Sequence, residues 1–321
     1  FYQQQSISSS SGSWLIDGEK QNTASIPDIV SSLLTWETIE TWDIGVDWAA
    51  FNNRLTGSFD WFCRKTKDMI GPAPTLGSAL GTSAPQINNC DMRSIGWELE
   101  IGWRDRIGQV KYGARLNLSD ATQKILNYPN ETGSLSTYYN GKSLNEIWGY
   151  VTEGIASSQE EMDAWLVNNK PNWGSGWGAG DVMFKDLDGD GRVDELTDRT
   201  YIGTADPDFF GGITFDFKYR NFDLNMFFQG VFGNQVSNDW KRQSDFWHIS
   251  GSVPVGKNHP TRLLDAWSFD NPDSDIPAMT NVMTNNEQRM STYYIEDGSY
   301  LKLRNIELGY TFPAKITNKM M

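Results

Sequence analysis

The chain carries an alternation of apolar and polar positions with a period of two residues, and this pattern recurs in seven places. In the first stretch, Trp42, Ile44 and Val46 alternate with polar or small residues. The seven stretches are 41–48, 54–61, 95–103, 110–118, 212–219, 222–229 and 306–312. A period of two is the spacing of side chains on one face of a β-strand. The pattern therefore predicts an all-β protein with seven clear strands, to which residues 1–30 could add one or two more.

The lengths of these stretches and of their connections favour a transmembrane antiparallel β-barrel over a soluble β-sandwich. Each run is about ten residues long, which suits a tilted strand that crosses a bilayer, whereas ordinary strands average about five or six. Short connections ("AFNNRL", "WRDRIGQ", "KYRNFD") alternate with long ones at 70–92, 119–208 and 236–295. In outer-membrane barrels the short turns are periplasmic and the long loops are extracellular. A sandwich with a dry core would also alternate, so that alternative stays open here.

Composition and charge narrow the class of partner. The 321 residues include 30 Gly, 14 Trp, 12 Tyr and 16 Phe, and the net charge is -14. Such an acidic chain argues against nucleic acid or anionic lipid as a partner, because either requires a basic patch. No stretch approaches the roughly 18 apolar residues of a membrane helix, and no signal peptide opens the chain. The pattern is already under way at Phe1 and continues to Met321, so we expect a piece of a longer polypeptide.

The stretch "KDLDGDGRVDELTD", residues 185–198, predicts a calcium site. Its spacing matches positions 1, 3, 5 and 9 of an EF-hand-type loop, with Gly191 at position 6 for the sharp turn. Thr197 stands at position 12, so the closing ligand would be Asp198 or Glu195. Neither flank predicts a helix, which favours a structural clamp over a sensor. The predicted ligands of a Ca²⁺ ion are Asp186, Asp188, Asp190, the carbonyl of Arg192, Asp194 and Asp198; the alternative is a hydrated acidic turn.

Catalytic chemistry finds little support in the sequence. The chain has two histidines, His248 and His259, and contains neither GxSxG nor HExxH. We therefore expect no enzymatic activity. Its two cysteines, Cys63 and Cys90, end one predicted strand and precede the next, so a disulfide across that loop stays open.

Four segments also resemble the C-terminal barrel portion of the SusC/RagA family, the TonB-linked outer-membrane transporters of Bacteroidetes. They are "LLTWETIETWDIGVDWAAFNNRLTGSFDWFCRKTKDMI" (33–70), "MRSIGWELEIGWR" (92–104), "GDVMFKDLDGDGRVDELTDRTYIGTADPDFFGGI" (180–213) and "YYIEDGSYLKLRNIELGYTFP" (293–313). They stand in the family's order, and the resemblance covers nearly the whole chain. One departure is the acid before Arg199, which the family commonly has at loop position 12 and which falls here at position 13.

The resemblance implies a fragment of a roughly 22-stranded TonB-dependent transporter barrel. Residues 1–321 would be the C-terminal part of that barrel, while the plug, the early strands and the segment that contacts TonB lie outside this sequence. The implied function is import of glycans or peptides across the cell outer membrane with a SusD-like lipoprotein partner, with outer-membrane lipid around the barrel. The connections 119–208 and 236–295 would be extracellular loops, the first holding the calcium loop.

Aromatic side chains in these connections are candidates for contact with a ligand, since flat rings stack on sugar faces. The candidates are Trp148, Tyr150, Trp173, Trp177, Trp240 and Trp247. The competing interpretation is that such rings fasten the loops to one another. For the whole chain, the alternative to a transporter is a secreted or surface-anchored, calcium-stiffened carbohydrate-binding or adhesin module. A third is a porin without energy coupling.

Overall fold

The structure, a computed structural model, describes residues 9–24, 31, 34–73, 84–246, 260–279 and 288–313. The predicted contact residue Trp247 and both histidines lie outside these ranges. Across the described ranges, no helix combines the length and the apolar composition that crossing a membrane requires.

Strands dominate the described residues, with two short α-helices among them. In chain order the strands are β1 (Ser9–Ile16), β2 (Glu19–Ala24), β3 (Thr38–Ala50), β4 (Leu55–Ile70), β5 (Asn88–Ile107), β6 (Val110–Asn127), β7 (Glu146–Tyr150), β8 (Thr152–Ile155), β9 (Lys170–Pro171), β10 (Val182–Phe184), β11 (Arg192–Val193), β12 (Arg199–Thr204), β13 (Phe209–Tyr219), β14 (Phe222–Phe232), β15 (Gln235–Ser237), β16 (Ile295–Asp297) and β17 (Tyr300–Tyr310). The helices are α1 (Gln159–Leu166) and α2 (Asp239–Asp245), and 3₁₀ turns occupy Thr261–Asp265 and Thr292–Tyr294.

Seven strands form one sheet in the order β17-β14-β13-β6-β5-β4-β3. They are the seven strands that the alternation predicts, so the all-β prediction is confirmed. The pairs β3/β4, β4/β5 and β5/β6 are antiparallel. Neighbours in the chain pair directly wherever a short turn joins them, as β3 and β4, β5 and β6, and β13 and β14 do. The segment 1–30 adds β1 and β2, which form a separate two-stranded sheet.

The short turns have the local chemistry that a sharp reversal needs. Between β3 and β4, Phe51, Asn52 and Asn53 have φ angles of 54°, 55° and 63°. A left-handed backbone is costly for most residues, but Asn tolerates it because its short polar side chain bonds locally. Gly108 provides the positive φ, 59°, in the turn between β5 and β6.

Several strands extend past the alternating stretches, and the longest extensions are at ends that face a long connection. β4 runs to Ile70, β5 begins at Asn88 and β6 continues to Asn127. The connection between β6 and β13 in the structure is therefore 128–208, and it starts later than the pattern placed it. A strand in contact with water on both faces needs no apolar side, so its extension carries no period of two.

The open question of a disulfide is answered by the strand register. Both cysteines are free and buried. Cys63 lies opposite Ile95, whereas Cys90 lies opposite Met69. The roughly five residues between 90 and 95 span about 17 Å of strand, well beyond the about 7 Å that a disulfide allows between Cα atoms. The described chain therefore has no bridge between Cys63 and Cys90.

The chain divides into two compact units. Unit 1 comprises Phe1–Leu144, Gly211–Phe228 and Leu303–Met321 and holds most of the seven-stranded sheet. Unit 2 comprises Asn145–Phe210 and Gln229–Lys302, which are largely the two long connections. Unit 2 has a hydrophobic core of its own, made of Tyr150, Ala156, Met162, Trp165, Val182, Met183, Phe184 and Val193. The first of these connections is thus folded structure rather than a free loop.

Helix α1 in unit 2 begins at the capping box that the sequence contains. The Ser158 hydroxyl accepts the backbone N–H of Glu161 at 3.2 Å, and the Glu161 carboxylate accepts the Ser157 N–H at 2.7 Å. This exchange satisfies donors that a helix start leaves without partners. The helix then buries Met162 and Trp165 in the core of unit 2.

Candidate functional site

One face of the seven-stranded sheet is apolar, and the described residues leave much of it uncovered. The register places Ile44, Trp61 and Trp97 in one cross-strand row. The next row is Val46, Phe59, Leu99 and Leu118. Side chains on this face are open to the surroundings, with Ile44 62% and Leu308 76% exposed. An apolar sheet face of this extent is unfavourable in water and suits contact with hydrocarbon.

The opposite face of the same strands is polar and acidic. Asp60 lies directly opposite Glu98, and Asp47 lies opposite Ser58 in the next row. On the same face the Glu100 carboxylate pairs with the Arg115 guanidinium at 3.6 Å. Like charges placed opposite each other are tolerated where water solvates them. This face therefore has the character of a wall in contact with water.

Aromatic rings collect beside the short turns. The rings of Phe51 and Trp103 lie 6.2 Å apart, and those of Phe222 and Tyr310 lie 4.7 Å apart. Phe51 is 67% exposed, although it belongs to a turn of only a few residues. Exposed aromatic rings at the ends of apolar strands are typical of the interfacial girdle of a membrane barrel.

The acidic loop 186–198 lies in unit 2, where two strands and a buried side chain hold it. Its strand β11 pairs in parallel with β9, and the Asn172 N–H bonds the Val193 carbonyl at 3.0 Å. Val193 is fully buried in the core of unit 2. At the entrance, the Asp186 N–H bonds the side-chain oxygen of Asn169 at 3.1 Å. The loop is thus anchored at its start and in its middle.

Three of the predicted ligands come together in this loop. Asp186, Asp188 and Asp190 each place a carboxylate oxygen within 4.8 Å of the other two. Calcium binds oxygen at about 2.3–2.6 Å, so ligands around one ion lie at most about 5 Å apart. The Asp186 oxygens also accept the N–H groups of Gly189 and Gly191, both at 2.7 Å. The spacing of the three carboxylates therefore fits a single hard cation.

The other predicted ligands have different positions in the structure. Asp194 accepts the N–H of Leu196 at 2.7 Å, and Arg192 donates its backbone N–H to Asp190 at 2.8 Å. Asp198 is fully buried and receives the N–H groups of Leu187 at 2.6 Å and Asp194 at 2.7 Å. It closes the loop from inside by joining its beginning to its end, and this role was not evident from the spacing.

Hydrogen bonding favours the ionised form of two loop carboxylates, Asp186 and Asp194. Desolvation alone would raise the pKa of Asp186, but the N–H groups of Gly191 and Gly189 outweigh it and hold the pKa below the usual 3.8. The N–H groups of Thr197 and Leu196 lower the pKa of Asp194 in the same way. A carboxylate that accepts backbone hydrogen bonds is stabilised in its charged form. These two carboxylates are therefore anionic at neutral pH, which suits a cation site.

The candidate contact aromatics fall into two groups. Tyr150, Trp173 and Trp177 pack around Phe184 in or against the core of unit 2. Tyr150 is 3% exposed. One face of Trp173 is covered by the guanidinium of Arg289, 4.1 Å from the ring centroid. Such rings fasten the connections together.

The remaining described candidates are more accessible. Trp148 is half-buried and donates its indole N–H to Glu146 at 2.8 Å. Trp240, on α2, is 60% exposed. A ring that is partly held by a hydrogen bond or a helix still offers a face to a ligand, so contact by Trp148 and Trp240 stays a prediction.

A buried charge in unit 2 was missed by the sequence reasoning. The carboxylate of Asp245 is fully buried and pairs with the Arg262 guanidinium at 3.2 Å. It also accepts the Tyr293 hydroxyl at 2.7 Å and the Ser244 hydroxyl at 2.9 Å. Desolvation, followed by the hydrogen bond to Asp245, raises the pKa of Tyr293. Arg262 and Tyr293 lie far from Asp245 in the chain, so no local motif predicts this cluster.

Comparison with known proteins agrees with this architecture. A family model described as "TonB dependent receptor-like, beta-barrel" matches residues 4–169, which is more than half of the chain. The chain belongs to this family. TonB-dependent receptor P3 of Formosa agariphila is 28% identical over 95% of this chain, and TonB-dependent receptor SusC of Bacteroides thetaiotaomicron is 26% identical over 92%. This chain spans 30% and 28% of those two proteins, respectively.

Solved structures show the same fold. The "RagAB peptide transporter" superposes with a TM-score of 0.71 at 20% identity, covering 98% of this chain and 32% of that one. The "RagAB peptide importer in the 'open-open' state" gives a TM-score of 0.68. The SusC/RagA resemblance and the barrel fold are therefore confirmed, and the chain is part of an outer-membrane protein. Members of the family are receptors and transporters rather than enzymes, in agreement with the expectation from the sequence.

Proposed function

We propose that this chain forms part of the wall and extracellular loops of a TonB-dependent importer that takes up glycans or peptides with a SusD-like lipoprotein. The observation that carries the proposal is the two-sided sheet. Its uncovered apolar face suits lipid, whereas its acidic face suits a water-filled interior. The described part of unit 2 has a hydrophobic core of its own, which supports a fixed mouth over an unstructured one. Contact with TonB is assigned to the part of the receptor outside this chain.

The energy-coupled step is tested by uptake in cells. A strain lacking the receptor is complemented with the intact protein and offered labelled oligosaccharides and labelled peptides in parallel. We expect one cargo class to enter, and its entry to stop when either the receptor or TonB is removed. Uptake that continues without TonB would identify a passive porin. Binding without uptake by any cargo would instead favour the carbohydrate-binding or adhesin module.

The lipoprotein partner is tested separately. Affinity purification of the intact receptor after cross-linking in the outer membrane should recover one lipid-anchored surface protein in near-equal amount. Trp240→Ala and Trp148→Ala then test whether the accessible aromatic rings of unit 2 contact the cargo or the partner lipoprotein. A variant that loses uptake while retaining the lipoprotein contacts cargo, whereas loss of both assigns the ring to the partner surface. A receptor that recovers no lipoprotein contradicts this part of the proposal.

We also propose that the acidic loop 186–198 binds a structural calcium ion. The support is the convergence of Asp186, Asp188 and Asp190, together with the backbone hydrogen bonds that lower the pKa of Asp186. Such a site would tie down a segment whose like charges repel. It lies within a connection expected to be extracellular, where calcium is plentiful enough for a modest site to fill.

Calcium binding is measured on the purified intact receptor. Titration with Ca²⁺ should give a saturable signal and slower hydrogen exchange in 186–198, and Mg²⁺ in the same range should do neither. Asp188→Asn should weaken binding at least about tenfold, because it removes one of three converging charges. Asp270→Asn, which neutralises an exposed carboxylate of the same unit, is the matched control. Equal behaviour of the two variants would leave only a hydrated acidic turn.

A further inference from the structure

The strand register assembles a row of three basic side chains that no local motif reveals. Lys65 of β4 lies opposite Arg93 of β5, and Arg93 lies opposite Lys124 of β6. Adjacent strands are about 4.8 Å apart, so the three Cα positions span about 10 Å across the sheet. Hereafter Lys65, Arg93 and Lys124 are called the basic row.

The basic row lies on the apolar, uncovered face of the sheet. Residues two apart along a strand share a face. Lys65 therefore shares its face with Trp61, and Arg93 shares its face with Ile95 and Trp97, which belong to the apolar rows. Three cations on a lipid-facing surface are costly unless they stand at the edge of the hydrocarbon.

The height of the row matches that edge. The inner end of the apolar band is marked by Leu55, opposite Trp103, beside the short turns. The roughly ten residues from Leu55 to Lys65 span about 33 Å, and a tilt of about 40° reduces this to about 25 Å along the membrane normal. The apolar band of outer-membrane barrels is also about 25 Å tall. The basic row thus falls at the headgroup level on the side of the long connections, which is the outer leaflet.

The described residues leave the charge of the row largely uncompensated. Among the described residues, no carboxylate lies within ion-pair distance of the three cations. Glu40 stands opposite Lys65, but it bonds the Lys67 ammonium at 2.6 Å instead. Asp120 lies on the same face, closer to the apolar rows, and Asp91 beyond the row accepts the Asp68 N–H at 3.0 Å. Like charges in adjacent cross-strand positions repel, so an external anion would stabilise them.

A cleft at the basic row combines apolar side chains with cations, as a site for an anionic lipid requires. It has a volume of about 310 Å³ and is lined by Arg93, Ile95, Trp97, Asp120, Thr122 and Lys124 among others. Its apolar lining lies toward the hydrocarbon, and its two cations lie toward the headgroups. Arg offers a forked pair of donors that matches a phosphate, and Lys adds a point charge.

We propose that the basic row binds the phosphate group of an anionic glycolipid of the outer leaflet, with the acyl chains against Ile95 and Trp97. The proposal rests on the barrel wall and its orientation in the outer membrane, and it is independent of the cargo. It also refines the conclusion drawn from the net charge of -14, since a local basic patch exists on an acidic protein.

The test uses the intact receptor, purified in neutral detergent and titrated with lipid A, followed by native mass spectrometry. Dephosphorylated lipid A is the paired probe. We expect phosphorylated lipid A to bind more tightly than the dephosphorylated form. Each neutralised cation should weaken binding about fivefold, and the triple variant Lys65→Gln, Arg93→Gln and Lys124→Gln should weaken it on the order of a hundredfold. Added inorganic phosphate should not displace the lipid.

The matched control is Arg64→Gln, which removes one charge from the same height of β4 on the opposite face. It should leave lipid A binding unchanged, whereas Arg93→Gln should not. If the triple variant fails to insert into the membrane, the single variants Arg93→Gln and Lys124→Gln provide the comparison. Equal binding by wild type and variants, equal loss with Arg64→Gln, or equal binding of both lipid probes would overturn the proposal. Cargo uptake by the same variants reports separately on import.

Discussion

The carboxylate of Asp198 is predicted to hold the acidic loop closed. It is fully buried, and its two oxygens receive the N–H groups of Leu187 and Asp194 at 2.6 and 2.7 Å. Asp198→Asn keeps one oxygen and replaces the other with an NH₂ group, which cannot accept a hydrogen bond. A hydrogen bond to a charged group contributes about 1.5–3 kcal/mol, and a buried donor without a partner costs a similar amount. We expect local destabilisation of about 3 kcal/mol.

Hydrogen exchange on the intact receptor measures this effect. A loss of about 3 kcal/mol corresponds to exchange faster by on the order of a hundredfold at the amides of Leu187 and Asp194. Calcium affinity should fall with it, because an open loop must be ordered before it binds. Asp270→Asn, an equal change of charge at an exposed position of the same unit, should leave both readouts unchanged. Unaltered exchange in Asp198→Asn would refute the assigned role of the buried carboxylate.

Three further predictions concern unit 2. Arg262→Gln leaves the buried Asp245 without its cation and should destabilise α2 by about 2 kcal/mol, a value reduced because Arg262 is about one-third exposed. Hydrogen exchange of α2 measures this effect. The control Arg242→Gln breaks only a surface ion pair and should cause no comparable change. Ser158→Ala removes the side-chain cap of α1 and should cost about 1 kcal/mol, seen as faster exchange in that helix alone. Because the folded pKa of Asp186 lies below 3.8, its charged form and its contribution to the loop persist above that value and are lost as pH falls further. The calcium affinity of the acidic loop should therefore stay constant between pH 7 and about pH 5. A decline within that range would contradict the assigned direction of the Asp186 pKa.

The net charge and the local charge of this protein lead to different expectations about lipid. The chain as a whole is acidic, which by itself argues against an anionic partner. Charges interact over distances of about one Debye length, roughly 8 Å at physiological ionic strength, so a patch of that size acts by itself. The basic row is such a patch, and it exists only because antiparallel pairing brings positions 65, 93 and 124 together.

The strands of the sheet were readable from the sequence because one face of each strand contacts an apolar phase and the other contacts water. That requirement repeats every two residues and leaves a signal even in a single chain. The ends of strands at the short turns agree with the pattern, as Ala50, Leu55 and Val110 show. The ends at the long connections do not, because a strand outside the bilayer has no apolar face to mark it. The capping box at Ser158 could also be recognised in the sequence, because its residues lie only three positions apart.

Tertiary structure alone decided the features that join distant positions. The register separates Cys63 from Cys90 and assembles the basic row, and it depends on pairing along whole strands rather than on any segment. The core of unit 2 buries Tyr150 and packs against Trp173, although their residue types equally suited ligand binding. The acidic loop shows the same difference. The spacing of its carboxylates predicted Asp186, Asp188 and Asp190, whereas only the fold buries Asp198 between two backbone N–H groups. Local periodicity is a property of the sequence, whereas burial and long-range pairing arise only when the chain folds.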